Sequence, residues 1–118
     1  MSATMPELRK QTRYKIHDKV IALSFEGACR LTDISAGGAA IKCIDKSDLP
    51  PRWSLDIMMR EDNFYATIPV KLAWEKVVVC SPFSTVFTKC VGVEFEDLTA
   101  ENKSKVNYLI KKHEAYAI

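Results

Sequence analysis

Residues 29–44 read CRLTDISAGGAAIKCI. Two short runs rich in apolar and β-branched side chains, residues 29–34 and 39–44, lie on either side of Ala36-Gly37-Gly38. Runs of this length and composition, bounded by glycine, are typical of strands joined by a tight turn. The stretch therefore predicts a β-hairpin.

Similar runs lie on both sides of this hairpin. Residues 20–25 form one before it, and residues 53–59 alternate with period two after Pro50-Pro51, as a strand with one buried face does. Residues 65–79 and 85–95 add two β-branched and aromatic stretches, joined through the turn-like residues 81–84. Six antiparallel strands are predicted.

The end of the chain has a helical pattern instead. Thr99 is a good N-cap, Val106, Leu109 and Ile110 follow at helical spacing, and residues 111–113 are basic, which favours a helix C-terminus. A helix over about residues 99–113 is predicted. The fold class is mainly β: a six-stranded antiparallel barrel, which removes exposed strand edges, with one C-terminal α-helix.

Length and charge restrict the functions. The chain has 118 residues, enough for one domain, and 17 basic against 15 acidic residues give a net charge of +2. This charge is far from the basic excess that a sequence-independent grip on a nucleic acid polymer needs. No secretory signal and no run of about 20 apolar residues occurs, so we expect a cytoplasmic protein that is not inserted in a membrane.

The side chains that usually carry chemistry are sparse. The four cysteines are far apart and lie among apolar neighbours, so buried free thiols are expected and a disulfide is not: Cys29, Cys43, Cys80 and Cys90. His17 and His113 have no cysteine or acidic partner at metal-ligand spacing. With no phosphate loop, nucleophile elbow or paired-histidine motif, we predict no catalytic residue, metal or cofactor.

Residues 1–13 are polar, lack periodicity and are expected to form an arm that stays flexible until a partner fixes it. Arg9 and Arg13 give Arg-x-x-x-Arg before the first strand. Two guanidinium groups can make bidentate hydrogen bonds to phosphates or to the O6/N7 edge of guanine. A merely solvated basic arm is the alternative interpretation.

Asp33, Ser35 and Gly38 lie where the first strand of the hairpin passes into the second. A carboxylate can accept from guanine N1–H and N2–H, a hydroxyl can donate to a phosphate oxygen, and glycine lets the backbone approach a ligand. An ordinary turn that closes a hairpin uses the same residue types. The segment alone leaves both interpretations open.

Together the two segments resemble the signature of the PilZ family, Arg-x-x-x-Arg followed by Asp/Asn-x-Ser-x-x-Gly. Residues 91–95, which lead into the last helix, are similar to the family's final strand, and residues 14–118 would form its split barrel. The resemblance implies a receptor for the bacterial second messenger cyclic di-GMP. It also implies that Arg9 and Arg13 bind a guanine edge and phosphates, opposite Asp33, Ser35 and Gly38.

The chain departs from the family at one position, because Leu8 stands where many members have another arginine. The missing guanidinium favours one cyclic di-GMP per protomer over an intercalated pair. Trp74 lies in the middle of a predicted strand, where its indole either borders the ligand or packs on the barrel.

The leading hypothesis is a non-enzymatic, single-domain cyclic di-GMP receptor. In it the ligand orders the arm, and a separate, unidentified protein partner reads the change. The alternatives are a PilZ-like protein-interaction adaptor that ignores nucleotides and a small barrel that binds single-stranded nucleic acid, which the near-neutral charge disfavours.

Overall fold

A computed structural model of the chain describes residues 11–16, 20–24, 27–43, 49–77 and 89–118. Within these ranges the backbone forms seven strands: β1 (Tyr14–Lys15), β2 (Val20–Ser24), β3 (Gly27–Ile34), β4 (Gly38–Cys43), β5 (Arg52–Met59), β6 (Phe64–Val77) and β7 (Lys89–Phe95). One α-helix, α1 (Ala100–Lys112), follows, and single 3-10 turns occur at Glu61–Asn63 and Glu114–Tyr116.

Six of the strands close into a barrel. β2 pairs with β3 and β5, β6 lies between β5 and β7, and β4 pairs with both β7 and β3, always antiparallel. The order β3-β2-β5-β6-β7-β4 therefore returns to β3, so no strand of the ring exposes a full edge. The predicted six-stranded antiparallel barrel with a C-terminal helix is confirmed.

The short strand β1 was not predicted. Tyr14 and Lys15 pair with Ile34 and Asp33 at the end of β3, on the edge that β2 leaves free beyond Arg30. Two residues carry no periodicity, so their pairing depends on the neighbouring backbone alone. The predicted end of one strand at residue 79 and the predicted start of the next at residue 85 lie outside the described residues.

The core fills the inside of the barrel with aliphatic side chains from alternate strand positions. In β5, Leu55, Ile57 and Met59 face inward, as the period-two pattern predicts. Leu31, Ile41, Ile68 and Val91 meet them from other strands and are fully buried. Each such side chain contributes about 1.5–3 kcal/mol when it leaves water, so packing rather than surface charge stabilises the barrel.

Helix α1 begins and ends where the sequence predicts. The Thr99 hydroxyl accepts from the Asn102 amide at 3.1 Å, which makes Thr99 the N-cap, and Val106 and Leu109 are buried against the barrel. Its outer side contacts the first residue of β6 and the turn before it. Tyr108 stacks on Phe64, with ring centroids 5.6 Å apart. Within the described residues no helix is long and apolar enough to cross a membrane.

An exposed ion pair also joins α1 to this turn. Lys112 Nζ lies 2.9 Å from Asp62 Oδ2, which also accepts from the Tyr108 hydroxyl. The hydrogen bonds from Tyr108 and Lys112 lower the pKa of Asp62 below its usual value, so the carboxylate stays charged to lower pH. The contact orients the helix on the barrel.

The expectation of four free thiols is wrong for two of the cysteines. Cys29 on β3 and Cys43 on β4 are directly opposed on the inner face, with Cα atoms 4.5 Å apart, and form a disulfide. The barrel brings them together although 14 residues separate them in the chain, a proximity that spacing in sequence does not reveal. Cys90 is a free thiol, and Cys80 lies outside the described residues.

Because Leu109 is fully buried between α1 and the barrel, we expect Leu109→Ala to lower the free energy of unfolding by about 2–5 kcal/mol. Urea denaturation followed by circular dichroism measures this loss. Lys111→Ala, an exposed change two residues further along the same helix, is the control and should stay within about 0.5 kcal/mol of the wild type. Equal effects would show that α1 does not pack as described.

Candidate functional site

An extra residue in β3 turns Asp33 to the outside of the barrel. Leu31 pairs with Ile41 and Asp33 pairs with Ala40, so Thr32 has no partner in register and forms a β-bulge. Strict alternation would put Asp33 on the inner face with Leu31, but the bulge shifts the alternation by one. The Thr32 hydroxyl donates to the Ala40 carbonyl at 3.1 Å, which stabilises the irregular backbone.

Asp33 meets Arg13 on this outer face. Arg13 Nη2 donates to Asp33 Oδ2 at 3.1 Å, and the side chains are 37% and 14% exposed. The remaining donors of Arg13 include Nε, which has no hydrogen-bond partner among the described residues. The pair thus places a guanidinium, whose buried Nε lacks a partner among the described residues, next to a carboxylate on the outer face.

The backbone around Arg13 is fixed from two sides. On one side Tyr14 pairs with Ile34, and the Ile16 amide donates to the Thr32 carbonyl at 3.0 Å. On the other side the Ile118 amide donates to the Arg13 carbonyl at 2.9 Å. Arg9, the other arginine of the predicted motif, lies outside the described residues.

Ser35 closes the turn between β3 and β4. Its amide donates to the Gly38 carbonyl at 2.8 Å, and its hydroxyl donates to the same carbonyl and accepts from the Gly37 amide, both at 3.3 Å. These are the bonds of an ordinary serine turn, one of the two interpretations that the sequence left open. The two hydroxyl bonds are long and partly exposed, so a better acceptor can replace them.

At Gly38 there is no room for a side chain between β4 and β7. A Cβ on Gly38 would lie 2.3 Å from the Val93 carbonyl oxygen, which belongs to the backbone. A Cβ on Gly37 would instead meet only the side chain of Gln11, with Oε1 at 2.3 Å. Closure of the barrel between β4 and β7 therefore requires glycine at position 38, three residues after Ser35.

A row of four residues, which we call the Asp33–Trp74 row, crosses the outer face. The register pairs Asp33 with Ala40, Ala40 with Gly92 and Gly92 with Trp74. A second bulge in β6, between Leu72 and Trp74, turns the indole outward, where it lies over Gly92 and remains 47% exposed. The row has a carboxylate at one end and an indole at the other. Its floor consists of Ala40 and of Gly92, over which the indole lies.

This arrangement is suited to holding a flat, polar, anionic molecule. Carboxylate acceptors and guanidinium donors lie at one end, and an aromatic face lies at the other. Among the described residues no group of three or more His, Cys, Asp or Glu side chains could hold a metal ion.

The comparisons agree with this architecture. The sequence model of the PilZ domain matches residues 7–112, which is most of the chain. The chain belongs to the PilZ domain family. No curated protein sequence matches it, so the individual proteins compared below are solved structures.

The PilZ domain of YcgR from Escherichia coli, solved with c-di-GMP, is 16% identical, with a TM-score of 0.69 over 91% of this chain and 92% of that one. MrkH from K. pneumonia in its apo state is 13% identical, with a TM-score of 0.71 over 87% of this chain and 50% of that one. The PilZ domain of CeSA from a cellulose synthesizing bacterium is 15% identical, with a TM-score of 0.55 over 85% and 95%. At these identities the likeness shows a shared fold.

The structure thus brings Arg13, Asp33, Ser35 and Gly38 together at one end of the PilZ barrel. Sequence reasoning missed the floor of the row, because it did not predict the two bulges. One signal was available: an isolated glycine inside a strand, as in Val91-Gly92-Val93, often marks a close approach of another group. Here that group is the indole of Trp74.

The two neighbouring glycines should respond differently to a methyl group. Gly38→Ala forces β4 away from β7, because the Val93 carbonyl is backbone, and should cost about 1–3 kcal/mol of unfolding free energy. Gly37→Ala should cost much less, since the exposed Gln11 side chain can move aside. Chemical denaturation of both variants measures the difference, and equal losses would contradict the close approach at Gly38.

Proposed function

We propose that this PilZ domain is a cyclic di-GMP receptor whose ligand binds on the outer face of the barrel, between Arg13 and Trp74. The observation that carries the proposal is the Arg13–Asp33 pair at 3.1 Å, turned to the surface by the Thr32 bulge. The solved YcgR PilZ domain contains c-di-GMP and shares this fold, which supports the choice of ligand.

Guanine fits the pair because it has donors and acceptors on neighbouring edges. Its N1–H and N2–H groups can donate to the Asp33 carboxylate, and its O6 and N7 atoms can accept from the free N–H groups of Arg13. Adenine has no N1–H or N2–H donor, so it can offer the carboxylate only its N6 amino group and cannot make the paired hydrogen bonds that guanine makes. The same pair therefore selects cyclic di-GMP over cyclic di-AMP.

The phosphates of the ligand are bound by Arg9 and Ser35 in this proposal. Arg9, four residues before Arg13, supplies a second guanidinium in the proposal. The Ser35 hydroxyl exchanges its 3.3 Å bond to the Gly38 carbonyl for a charge-assisted bond to a phosphate oxygen, which is the stronger of the two. Gly38 holds this turn against β7 and so positions Ser35.

Trp74 completes the site at the far end of the row. One face of the indole rests on Gly92, and the side chain is 47% exposed, so its other face is available to a base. Stacking of a base on an aromatic side chain contributes about 1–3 kcal/mol in nucleic-acid complexes. We propose that a guanine of the ligand stacks there.

The way in which the proposed receptor passes on its signal depends on residues 13–16 and on the residues that precede them. Residues 13–16 are held by β3 and by Ile118, so ligand binding leaves them in place and orders the residues before them, including Arg9. We propose that this ordered arm is the surface that a separate protein partner recognises in the bacterial cytoplasm. The domain itself acts by binding and not by catalysis.

Isothermal titration with cyclic di-GMP, beside GMP and cyclic di-AMP, tests the proposal. We expect micromolar or tighter binding of cyclic di-GMP and no binding to Arg13→Ala, because that change removes donors that the ligand needs. The thermal melt of the variant should fall only slightly, since the pair is part-buried and the Arg13 side chain that is removed is 37% exposed.

Arg52→Ala is the matched control for this experiment. Arg52 also pairs with a carboxylate, Glu96, at 3.0 Å on the outer face, but away from the Asp33–Trp74 row. Its removal should leave the affinity unchanged. If the wild type binds none of the three nucleotides, the receptor proposal is wrong and the adaptor hypothesis is favoured.

Trp74 gives a second, independent test. Trp74→Ala should weaken cyclic di-GMP binding about tenfold, the loss expected when one stacked base is left without its partner. Trp53→Phe, which changes the other tryptophan of the chain, should leave the affinity unaltered. Ligand should also quench the fluorescence of Trp53→Phe, where Trp74 is the remaining emitter, and unchanged emission would show that no base stacks on Trp74.

A further inference from the structure

A second row of side chains crosses the outer face next to the Asp33–Trp74 row. The register pairs Arg30 on β3 with Lys42 on β4, Lys42 with Cys90 on β7, and Cys90 with Lys76 on β6. We call these four residues the basic row. Arg30, Lys42 and Lys76 are exposed, and Cys90 between two of them is small and neutral.

The basic row places like charges directly opposite one another. Arg30 and Lys42 are cross-strand partners, and such pairs have Cβ atoms only about 5 Å apart. Both side chains project from the same face, so their charged ends share one region of the surface and can contact the same anion. A like-charged cross-strand pair destabilises a sheet, which makes a bound anion the simplest compensation.

No described carboxylate supplies that compensation. Within the described part of the chain, Arg30, Lys42 and Lys76 make no ion pair, and the nearest acidic side chains are engaged elsewhere. Asp33 binds Arg13, and Glu75 pairs with Lys89 at 3.1 Å. Glu94 lies beyond the Asp33–Trp74 row, opposite Lys71.

The position of the basic row connects it to the proposed ligand site. Lys42 follows Ala40 by two residues on β4, and Lys76 follows Trp74 by two residues on β6. Two residues of strand span about 7 Å, so a ligand on the floor of the Asp33–Trp74 row reaches the cations with its next phosphate group. None of the described elements lies between the two rows.

We propose that Arg30, Lys42 and Lys76 form a second phosphate-binding site for the phosphodiester of a cyclic dinucleotide. This inference rests on the proposed function and extends it beyond the two motifs that sequence reasoning identified. The phosphodiester belongs either to the far side of the ligand held by Arg13 and Asp33 or to a second ligand molecule. In both cases the basic row supplies positive charge in place of the arginine that many family members have at the position of Leu8.

A small ligand fits better than a nucleic acid polymer. The three cations occupy one short row on a chain whose net charge is only +2, whereas polymer binding relies on many distributed phosphate contacts. The row is also bordered by the carboxylate of Asp33, which repels an extended backbone but accepts from a guanine edge.

The test combines Arg30→Gln, Lys42→Gln and Lys76→Gln in one variant of the full chain. Cyclic di-GMP is titrated by calorimetry at low and at high salt, with GMP and a single-stranded DNA 12-mer as further probes. The matched control removes the same charge from exposed lysines outside both rows, as Lys71→Gln, Lys103→Gln and Lys111→Gln. Circular dichroism and urea denaturation confirm that both variants fold.

We expect the basic-row variant to bind cyclic di-GMP roughly tenfold more weakly at low salt, with a smaller salt dependence than the wild type, and the control variant to bind as the wild type does. A stoichiometry of one ligand in both proteins assigns the row to the far phosphate. A fall from two ligands to one assigns it to a second molecule.

Equal affinity and stoichiometry of the basic-row variant and the control would overturn this inference and leave the receptor proposal intact. Binding of the 12-mer that depends on the basic row, without any change for cyclic di-GMP, would overturn it as well. Absence of binding by the wild type would instead refute the receptor proposal, so the two failures are distinguishable.

Discussion

The bulge at Thr32 in β3 is the constraint on which the arrangement of the barrel's outer face depends. Without this extra residue, the period of two would send the Asp33 carboxylate into the apolar barrel and Ile34 out into water, and both changes would be unfavourable. With it, Cys29, Leu31 and Ile34 all face inward, and Asp33 faces outward toward Arg13. The barrel core and the surface pair are therefore two consequences of one irregularity in a strand.

A second irregularity on the far side of the face has the same effect. The bulge at Ala73 in β6 moves Trp74 from the inner to the outer surface, where only a glycine leaves room for the indole. Bulges increase the local twist of a sheet and often occur next to functional sites, because they redirect single side chains without changing the fold. Two bulges on opposite sides of Ala40 and Gly92 thus produce one continuous surface.

The architecture of this chain was predictable because its signals are local. The periodicity of β5, the glycine-rich turn after β3 and the capped helix from Ala100 each depend on a few neighbouring residues, and all agree with one mainly β fold. The Arg13–Asp33 pairing was also accessible, since the two motifs imply that they face each other. A resemblance to a family carried the choice of ligand, which the residue chemistry alone left open.

What could not be predicted depends on register. Cys29 and Cys43 become partners only because β3 and β4 align them, and no spacing rule fixes that alignment in advance. The like-charged pair of Arg30 and Lys42 was invisible for the same reason, since the two residues are separated by a turn and a bulge. A sequence shows which residues a strand contains, whereas the bulge decides which of them share a face.

The fixed position of Arg13 also limits how a receptor of the proposed kind can respond to its ligand. Its carbonyl accepts from Ile118, and the next residue, Tyr14, is bridged to both Ile34 and Ala117. A strand held on both sides cannot swing with the ligand, so any rearrangement must begin before residue 13 or involve the C-terminal segment as well. In the proposed receptor the Arg13 side chain, whose buried Nε lacks a partner among the described residues, is a fixed anchor for the ligand.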